Sequence, residues 1–262
     1  MRMPQGWRGV RAVNWVGWLV FLAFLGLWEV LSRRSGSLYF PPVTRIVETF
    51  VAVWRAQNLS AHVAPSLVRM GEGYGAAALV GTVLGIAMGH WRRLDRFVEP
   101  LVEFFRAVPP PALIPFALLT MGIGDASKVF VIAFSSLWPI LLNARDGVRN
   151  VDQVMIETAR MFGHSPREVV TVVVAPATMP QLFAGLRTSL GVAFITMVIA
   201  EMVGSTNGLG YFILNAQRLF AVPEMYAGIL LLGLLGYLVN GAFERVEGRI
   251  LGWHRRFRAV QP

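Results

Sequence analysis

Long apolar runs separated by short polar stretches dominate the chain, and their lengths predict membrane spans. Crossing a bilayer takes about 20 mostly apolar helical residues, because lipid offers the backbone no hydrogen-bond partners. The third run contains Pro109, Pro110 and Pro111, so it predicts either one kinked helix or two shorter pieces. The six predicted spans are Asn14–Leu31, Val63–Met88, Phe97–Met121, Ala126–Leu142, Leu182–Val203 and Met225–Phe243.

Two shorter patterns refine this layout. The stretch Thr44–Trp54 has an apolar and a charged face, which predicts a short helix on the outer membrane surface. Gly81, Gly85 and Gly89 recur every four residues and favour close packing of the second span against another helix. The chain shows no internal repeat or linker. We therefore expect an N-terminal segment (1–13), one transmembrane domain (14–243) and a basic C-terminal tail (244–262).

The composition agrees with an all-α integral membrane protein. Of 262 residues, 55% are hydrophobic and 15% are charged, and the mean hydropathy is +0.55. The net charge of +9 comes from arginines at the ends of apolar runs, which predicts contact with membrane lipid headgroups and no binding of nucleic acid. The absence of cysteine excludes disulfides, thiol chemistry and cysteine-ligated metals.

The distribution of basic residues predicts the orientation. With the amino terminus inside, the cytoplasmic segments hold 16 of the 24 basic residues and the outer segments hold six. This asymmetry predicts that both termini are cytoplasmic. It also places the polar segment between spans four and five, residues 143–181, on the cytoplasmic side.

This polar segment carries the signals of two consecutive helices. Asp152 is a suitable N-cap for a helix that runs to about Phe162, and Gly163 suits the left-handed position that ends it. Ser165 and Glu168 then form a capping-box pattern that starts a second helix, which we expect Pro176 to end.

The first of these helices carries residues that suit contact with a partner protein. Thr158 and Ala159 are small enough for close approach by another surface, and Glu157 places a charge at its edge. The local physics leaves two alternatives open: a docking element, or an amphipathic loop that packs only on its own membrane domain.

A family resemblance favours docking. The segment from Glu157 to Pro176 reads E-T-A-x3-G-x9-V-x-A-P and resembles the cytoplasmic EAA loop of ABC importer permeases, E-A-A-x3-G-x9-I-x-L-P. Thr158, Val173 and Ala175 depart from that pattern, conservatively in size or polarity. The stretch Arg106-Ala-Val-Pro-Pro110 and the residues around Glu201 resemble the nitrate/taurine/sulfonate branch.

The resemblance implies a set of partners. Two permease subunits, expected to be identical, would stand above two ATPase subunits that bind ATP and Mg²⁺, and a solute-binding protein would deliver a small solute from outside. The residues that would contact or couple to the ATPase are Glu157, Thr158, Ala159, Arg160, Gly163 and Pro176. The chain itself has no G-x4-G-K-[ST] motif and so no nucleotide site of its own.

Charged residues near the spans have competing interpretations. Glu201 is a candidate gate or binding-protein contact, or simply a residue at the wet interface. Glu103 and Arg106 lie one helical turn apart, so they either neutralise each other or select anions in the pathway.

Rival functions are an acyltransferase, from the His90 and Asp95 spacing, and a secondary transporter or channel without an ATPase. The histidines show no metal-ligand spacing.

Overall fold

The computed structural model describes residues 13–253, and within that range every regular element is helical. Residues 1–12, and the end of the predicted basic tail at 254–262, lie outside the described residues. The helices are α1 (Val13–Ser35), α2 (Val43–Val53), α3 (Ala56–Asn58), α4 (Ala64–His90), α5 (Arg92–Arg106), α6 (Leu113–Met121), α7 (Asp125–Arg149), α8 (Gln153–Met161), α9 (Pro166–Val169), α10 (Ala175–Gly204), α11 (Leu209–Arg218) and α12 (Val222–Ile250).

Five of these helical segments are long and apolar enough to cross a membrane, and α5 with α6 forms a sixth, broken candidate. The axes of this pair differ by 80° across the break. A short 3₁₀ turn at Pro110–Ala112 lies between them, because three consecutive prolines cannot donate the hydrogen bonds of a continuous helix. The third predicted span is therefore two pieces, whereas α12 continues to Ile250 into the predicted tail.

The expectation that Pro176 ends the second loop helix is wrong. The helix runs from Pro166 to Gly204 without a break, through a π turn at Val170–Val174. The N–H of Ala175 reaches back to the carbonyl of Val170, and this wider turn accommodates the proline ring beside the preceding carbonyls. A second π turn, Leu59–Val63, precedes Pro65 at the start of α4 in the same way, and in both cases the turn ends at a valine that is followed by Ala-Pro.

The centre of the fold is the close, parallel packing of α4 on α7. A Cβ added at Gly85 would lie 2.7 Å from the Cβ of Ala144, and one added at Gly89 would lie 2.7 Å from the Cβ of Val148. A step of four residues along α4, from Gly85 to Gly89, matches a step of four residues along α7, from Ala144 to Val148. The two helices therefore run in the same direction. Gly81 belongs to the same stripe, which confirms the predicted small-residue contact face.

Helix α10 packs against α7 in the opposite direction. The hydroxyl of Ser135 donates to Oγ1 of Thr196 over 3.0 Å, whereas Gly147, near the end of α7, faces Thr178 at the start of α10. The first turns of α4 and α7 therefore share one end of the bundle with the last turn of α10. The loop containing α8 and α9 lies at the other end.

The predicted short helix after the first span is α2. Its Ile46 is buried, and the neighbouring Trp54 donates its indole N–H to the carbonyl of Ala227 on α12 over 3.1 Å. The helix α2 is thereby fixed against the last span.

The stripe allows a direct stability test. We expect Gly85→Ala to lower the free energy of unfolding by about 1–3 kcal/mol, because its Cβ would overlap the α7 backbone. Gly75→Ala is the matched control, since nothing lies within 4 Å of its Cβ and the gain in helix propensity is the same. Denaturant titration in mixed micelles measures both variants, and equal stabilities would contradict the packing argument.

Candidate functional site

The loop at the α8–α9 end is held in shape by caps at both ends of α8. The carboxylate of Asp152 accepts a hydrogen bond from the N–H of Val154 over 2.9 Å. At the other end, Gly163 adopts φ +84°, its N–H donates to the carbonyl of Arg160, and the N–H of His164 donates to that of Ala159. This is a Schellman motif, which explains the glycine. The next helix, α9, begins with the predicted capping box.

Within the loop, Ala159 faces inward. It is buried against Val169 and Val174, which belong to α9 and the π turn. A larger side chain here would push α8 away from the helix that continues into α10. Ala159 therefore packs on its own loop, whereas Thr158 is exposed.

The outer face of α8 is apolar and uncovered. Met161 is 88% exposed and Phe162 81% exposed, and Val154 and Met155 lie on the same side of the helix. Glu157 is also exposed, and its carboxylate accepts a hydrogen bond from the side chain of Gln153 over 3.3 Å. Arg160 is exposed on a different side, and Pro176 is half-buried in the first turn of α10. Uncovered apolar side chains of this size on a polar loop favour contact with another protein.

A buried charge network occupies the opposite end of the bundle. Glu201 is fully buried, and its carboxylate accepts a hydrogen bond from Nη1 of Arg69 over 2.8 Å. The hydroxyl of Ser66 lies 2.8 Å from both of its oxygens, and the N–H of Gly210 donates to it over 3.0 Å. Each carboxylate oxygen therefore has a hydrogen-bond donor from the protein itself.

Arg69 extends this network to two further elements. Its guanidinium contacts the carboxylate of Asp125 at 2.7 Å, in the first turn of α7, and donates to the side chain of Asn207. The turn before α11 passes so close to Glu201 that any Cβ at Gly208 would clash with the carboxylate, and Gly208 also has φ +106°. The network thus joins α4, α7, α10 and the turn that leads into α11.

The burial of Glu201 contradicts the wet-interface interpretation of this residue, whereas its role as a gate or binding-protein contact stays a prediction. The side chain is enclosed by α4, α10 and the turn before α11, away from any wet interface. Arg69 is the residue that sequence reasoning missed. The available signal was an arginine within a span, because a charge there requires a partner and Glu201 is a complementary one.

The remaining charged candidates have local partners. Arg106 and Glu103 form the predicted pair at 2.6 Å, with both side chains about half exposed. Asp95 is buried and pairs with Arg149 and, at 3.5 Å, with Arg145. Asp95 is therefore occupied by arginines, which removes the basis for the acyltransferase hypothesis. Residues 13–253 contain no cluster of side chains that could hold a metal ion.

Comparison with known proteins decides the family. The family model described as "Binding-protein-dependent transport system inner membrane component" matches residues 81–252. The chain belongs to this family. It is a permease subunit of an ABC importer and crosses the inner membrane several times.

Individual relatives agree with this membership. The chain is 32% identical over 222 residues to the taurine transport system permease protein TauC of Escherichia coli K12, covering 83% of this chain and 81% of that protein. It is 30% identical over 236 residues to the putative aliphatic sulfonates transport permease protein SsuC of Bacillus subtilis 168, covering 89% and 85%.

A solved structure supports the fold. The MetNI methionine ABC transporter, in an inward-facing conformation, contains a chain that superposes with a TM-score of 0.57 at 21% identity, covering 79% of this permease and 95% of that chain. This likeness concerns the fold alone.

The two ion pairs of contrasting burial give a paired test. We expect Glu201→Gln to lower the free energy of unfolding by about 3 kcal/mol, because it leaves the buried guanidinium of Arg69 incompletely neutralised. Glu103→Gln should cost less than about 1 kcal/mol, because its pair is exposed. Titration with sodium dodecyl sulfate in mixed micelles compares the two, and similar small losses would contradict the assignment of a buried ionic network.

Proposed function

We propose that this permease moves a small solute such as a sulfonate, taurine, nitrate or bicarbonate, and that a separate ATPase docks on α8. The substrate class is supported by the names of the relatives, which transport taurine and aliphatic sulfonates. The docking assignment is carried by one observation: the capped helix α8 ends in Met161 and Phe162, which are uncovered although the surrounding loop is polar. ATP and Mg²⁺ would bind to the ATPase, since this chain has no phosphate-binding loop motif.

The path from α8 into the membrane is short. Ala159 on α8 packs against Val169 and Val174, and both belong to the unbroken helix from Pro166 to Gly204. Movement of α8 by the ATPase would therefore act directly on α10. ATP-driven closure of an ATPase dimer could shift the permease between two states in this way.

A second copy of the chain is the proposed partner in the membrane. One face of α10 exposes Gln181, Thr188 and Gly191 together with Ile195. Small and polar residues are unusual on a lipid-facing surface and are typical of helix–helix contacts or an aqueous path. We place the solute pathway between the two copies, with a solute-binding protein at the Glu201 end.

The competing function is a secondary transporter or channel, which would move solute without nucleotide. Reconstitution with and without ATP distinguishes it from an importer. Uptake that follows the solute gradient and does not change when ATP is added would favour a secondary transporter or channel.

Docking predicts a defect from Gly163→Val. The substitution forces a branched side chain into a left-handed position, at a cost of at least about 1–2 kcal/mol, so we expect about tenfold less ATPase subunit to co-purify with the tagged permease. Glu157→Ala should reduce solute-stimulated ATP hydrolysis.

The matched control for Gly163→Val is Gly36→Val, because Gly36 also follows a helix with positive φ and has nothing within 4 Å of its Cβ. Wild-type ATPase recovery and turnover in both loop variants would refute the docking assignment.

The proposed orientation predicts a labelling pattern. The chain has no cysteine, so an introduced thiol is unique. We expect a membrane-impermeant maleimide to label Thr206→Cys in intact spheroplasts and His164→Cys only in inverted vesicles, because these exposed residues lie at opposite ends of the bundle. The reverse pattern would place the α8–α9 loop outside the cell.

A further inference from the structure

A large arginine-lined cleft lies beside the α8–α9 loop, and of the residues assigned to docking only Arg160 lines it. It has a volume of about 1150 Å³ and is bounded by the α4–α5 turn, the end of α7, and the loop helices. Its charged lining residues are Arg92, Asp95, Arg96, Glu99, Arg149, Arg160 and Arg167.

The positive charge of this cleft is not balanced by its acidic residues. Asp95 is paired with Arg149 and Arg145, and Glu99 is paired with Arg145 at 3.3 Å. The four remaining arginines, two on α5 and two on the loop, form no ion pair with any residue between 13 and 253. They are Arg92, Arg96, Arg160 and Arg167.

Helix α5 indicates where this cleft lies relative to the bilayer. Phe97, Leu101 and Phe104 are 76%, 50% and 65% exposed and form one apolar stripe along the helix. Arg92 and Arg96 lie outside this stripe, on the side of α5 that lines the cleft. These arginines stand in the first two turns of α5, directly after the spanning helix α4 ends at His90, and arginines at the end of a span lie at the membrane–water boundary. The cleft therefore opens at the level of the lipid headgroups.

The face of α8 that lines the cleft is distinct from its apolar outer face. Gln153, Ile156 and Arg160 line the cleft, at the spacing of one helix face. Met161 and Phe162 project from a different side. A partner bound to the apolar face would leave the cleft open to lipid.

We infer that this cleft binds the phosphate headgroup of an anionic phospholipid. Guanidinium groups form short, paired hydrogen bonds to phosphate oxygens, and arginine is the side chain best suited to such binding. A cleft above the roughly 300–1,000 Å³ of typical ligand pockets has room for the headgroup and the glycerol backbone. The bound phosphate bridges the α5 arginines to Arg160 and Arg167, so it holds the docking loop against the membrane domain.

The test uses the full chain in the complex in which it purifies, with Arg92→Gln/Arg96→Gln as the cleft variant. Both residues are exposed, so the fold should persist, and circular dichroism checks this. The control is Arg93→Gln/Arg249→Gln, which removes the same charge from exposed residues outside the cleft. Native mass spectrometry counts bound dioleoyl-phosphatidylglycerol, and thermal unfolding is followed with that lipid, dioleoyl-phosphatidylcholine, glycerol 3-phosphate or inorganic phosphate.

We expect phosphatidylglycerol to remain bound to the wild type and control and to raise their unfolding temperature. The cleft variant should bind it about tenfold or more weakly, since each arginine near an anionic surface contributes to binding, and salt should weaken the interaction. Equal stabilisation by inorganic phosphate or glycerol 3-phosphate would overturn the lipid assignment in favour of a soluble anion. Equal lipid binding by both variants would show general surface attraction, and loss of ATPase recovery with unchanged lipid binding would assign the arginines to the ATPase. The lipid-binding and unfolding readouts do not depend on whether α8 docks.

Discussion

The close parallel packing of α4 on α7 is the constraint on which the rest of the structure depends. Glycine at every fourth position lets the two backbones approach until the carbonyls of α7 lie where side chains of α4 would otherwise stand. Because the helices are parallel, their first turns bring Arg69 and Asp125 together at one end. At the other end, the last turn of α7 places Arg149 against Asp95, which lies at the start of α5 directly after α4. A single contact face thus positions both charged regions of the molecule.

The buried network shows how a membrane protein can hold charge away from water. An isolated carboxylate in the position of Glu201 would be costly, but this one receives hydrogen bonds from Arg69, Ser66 and a backbone N–H. Such a network adds little net stability compared with a well-packed apolar core, and breaking one member leaves an uncompensated charge. Its structural consequence is that α4, α7, α10 and the turn at Gly208 are tied together at one point.

The features that the sequence predicted correctly are those determined by neighbouring residues. The caps at Asp152 and Ser165, the left-handed Gly163 and the Glu103–Arg106 pair all depend on contacts within five residues. The proline break of the third span is local as well. The glycine stripe was predictable as a contact face, although its partner α7 was not.

The features that were missed depend on contacts between distant segments. Arg69 and Glu201 are 132 residues apart, so the neighbouring sequence shows that Arg69 needs a partner but not which residue supplies it. The inward position of Ala159 depends on α9 and the π turn folding back against α8. Pro176 was misjudged for a different reason: a proline ends an ideal α-helix, but a π turn immediately before it relieves the constraint, and helix periodicity gives no sign of that turn.

The continuous helix from Pro166 to Gly204 limits how the two ends of this permease can communicate. Its lower end packs against α8 through Val169 and Val174, while Glu201 near its upper end is fixed by ionic and backbone hydrogen bonds. A displacement of α8 can therefore not be a simple translation of α10, because that would separate Glu201 from Arg69. The geometry therefore favours a tilt of α10 about its anchored upper end, with the largest movement next to the α8–α9 loop.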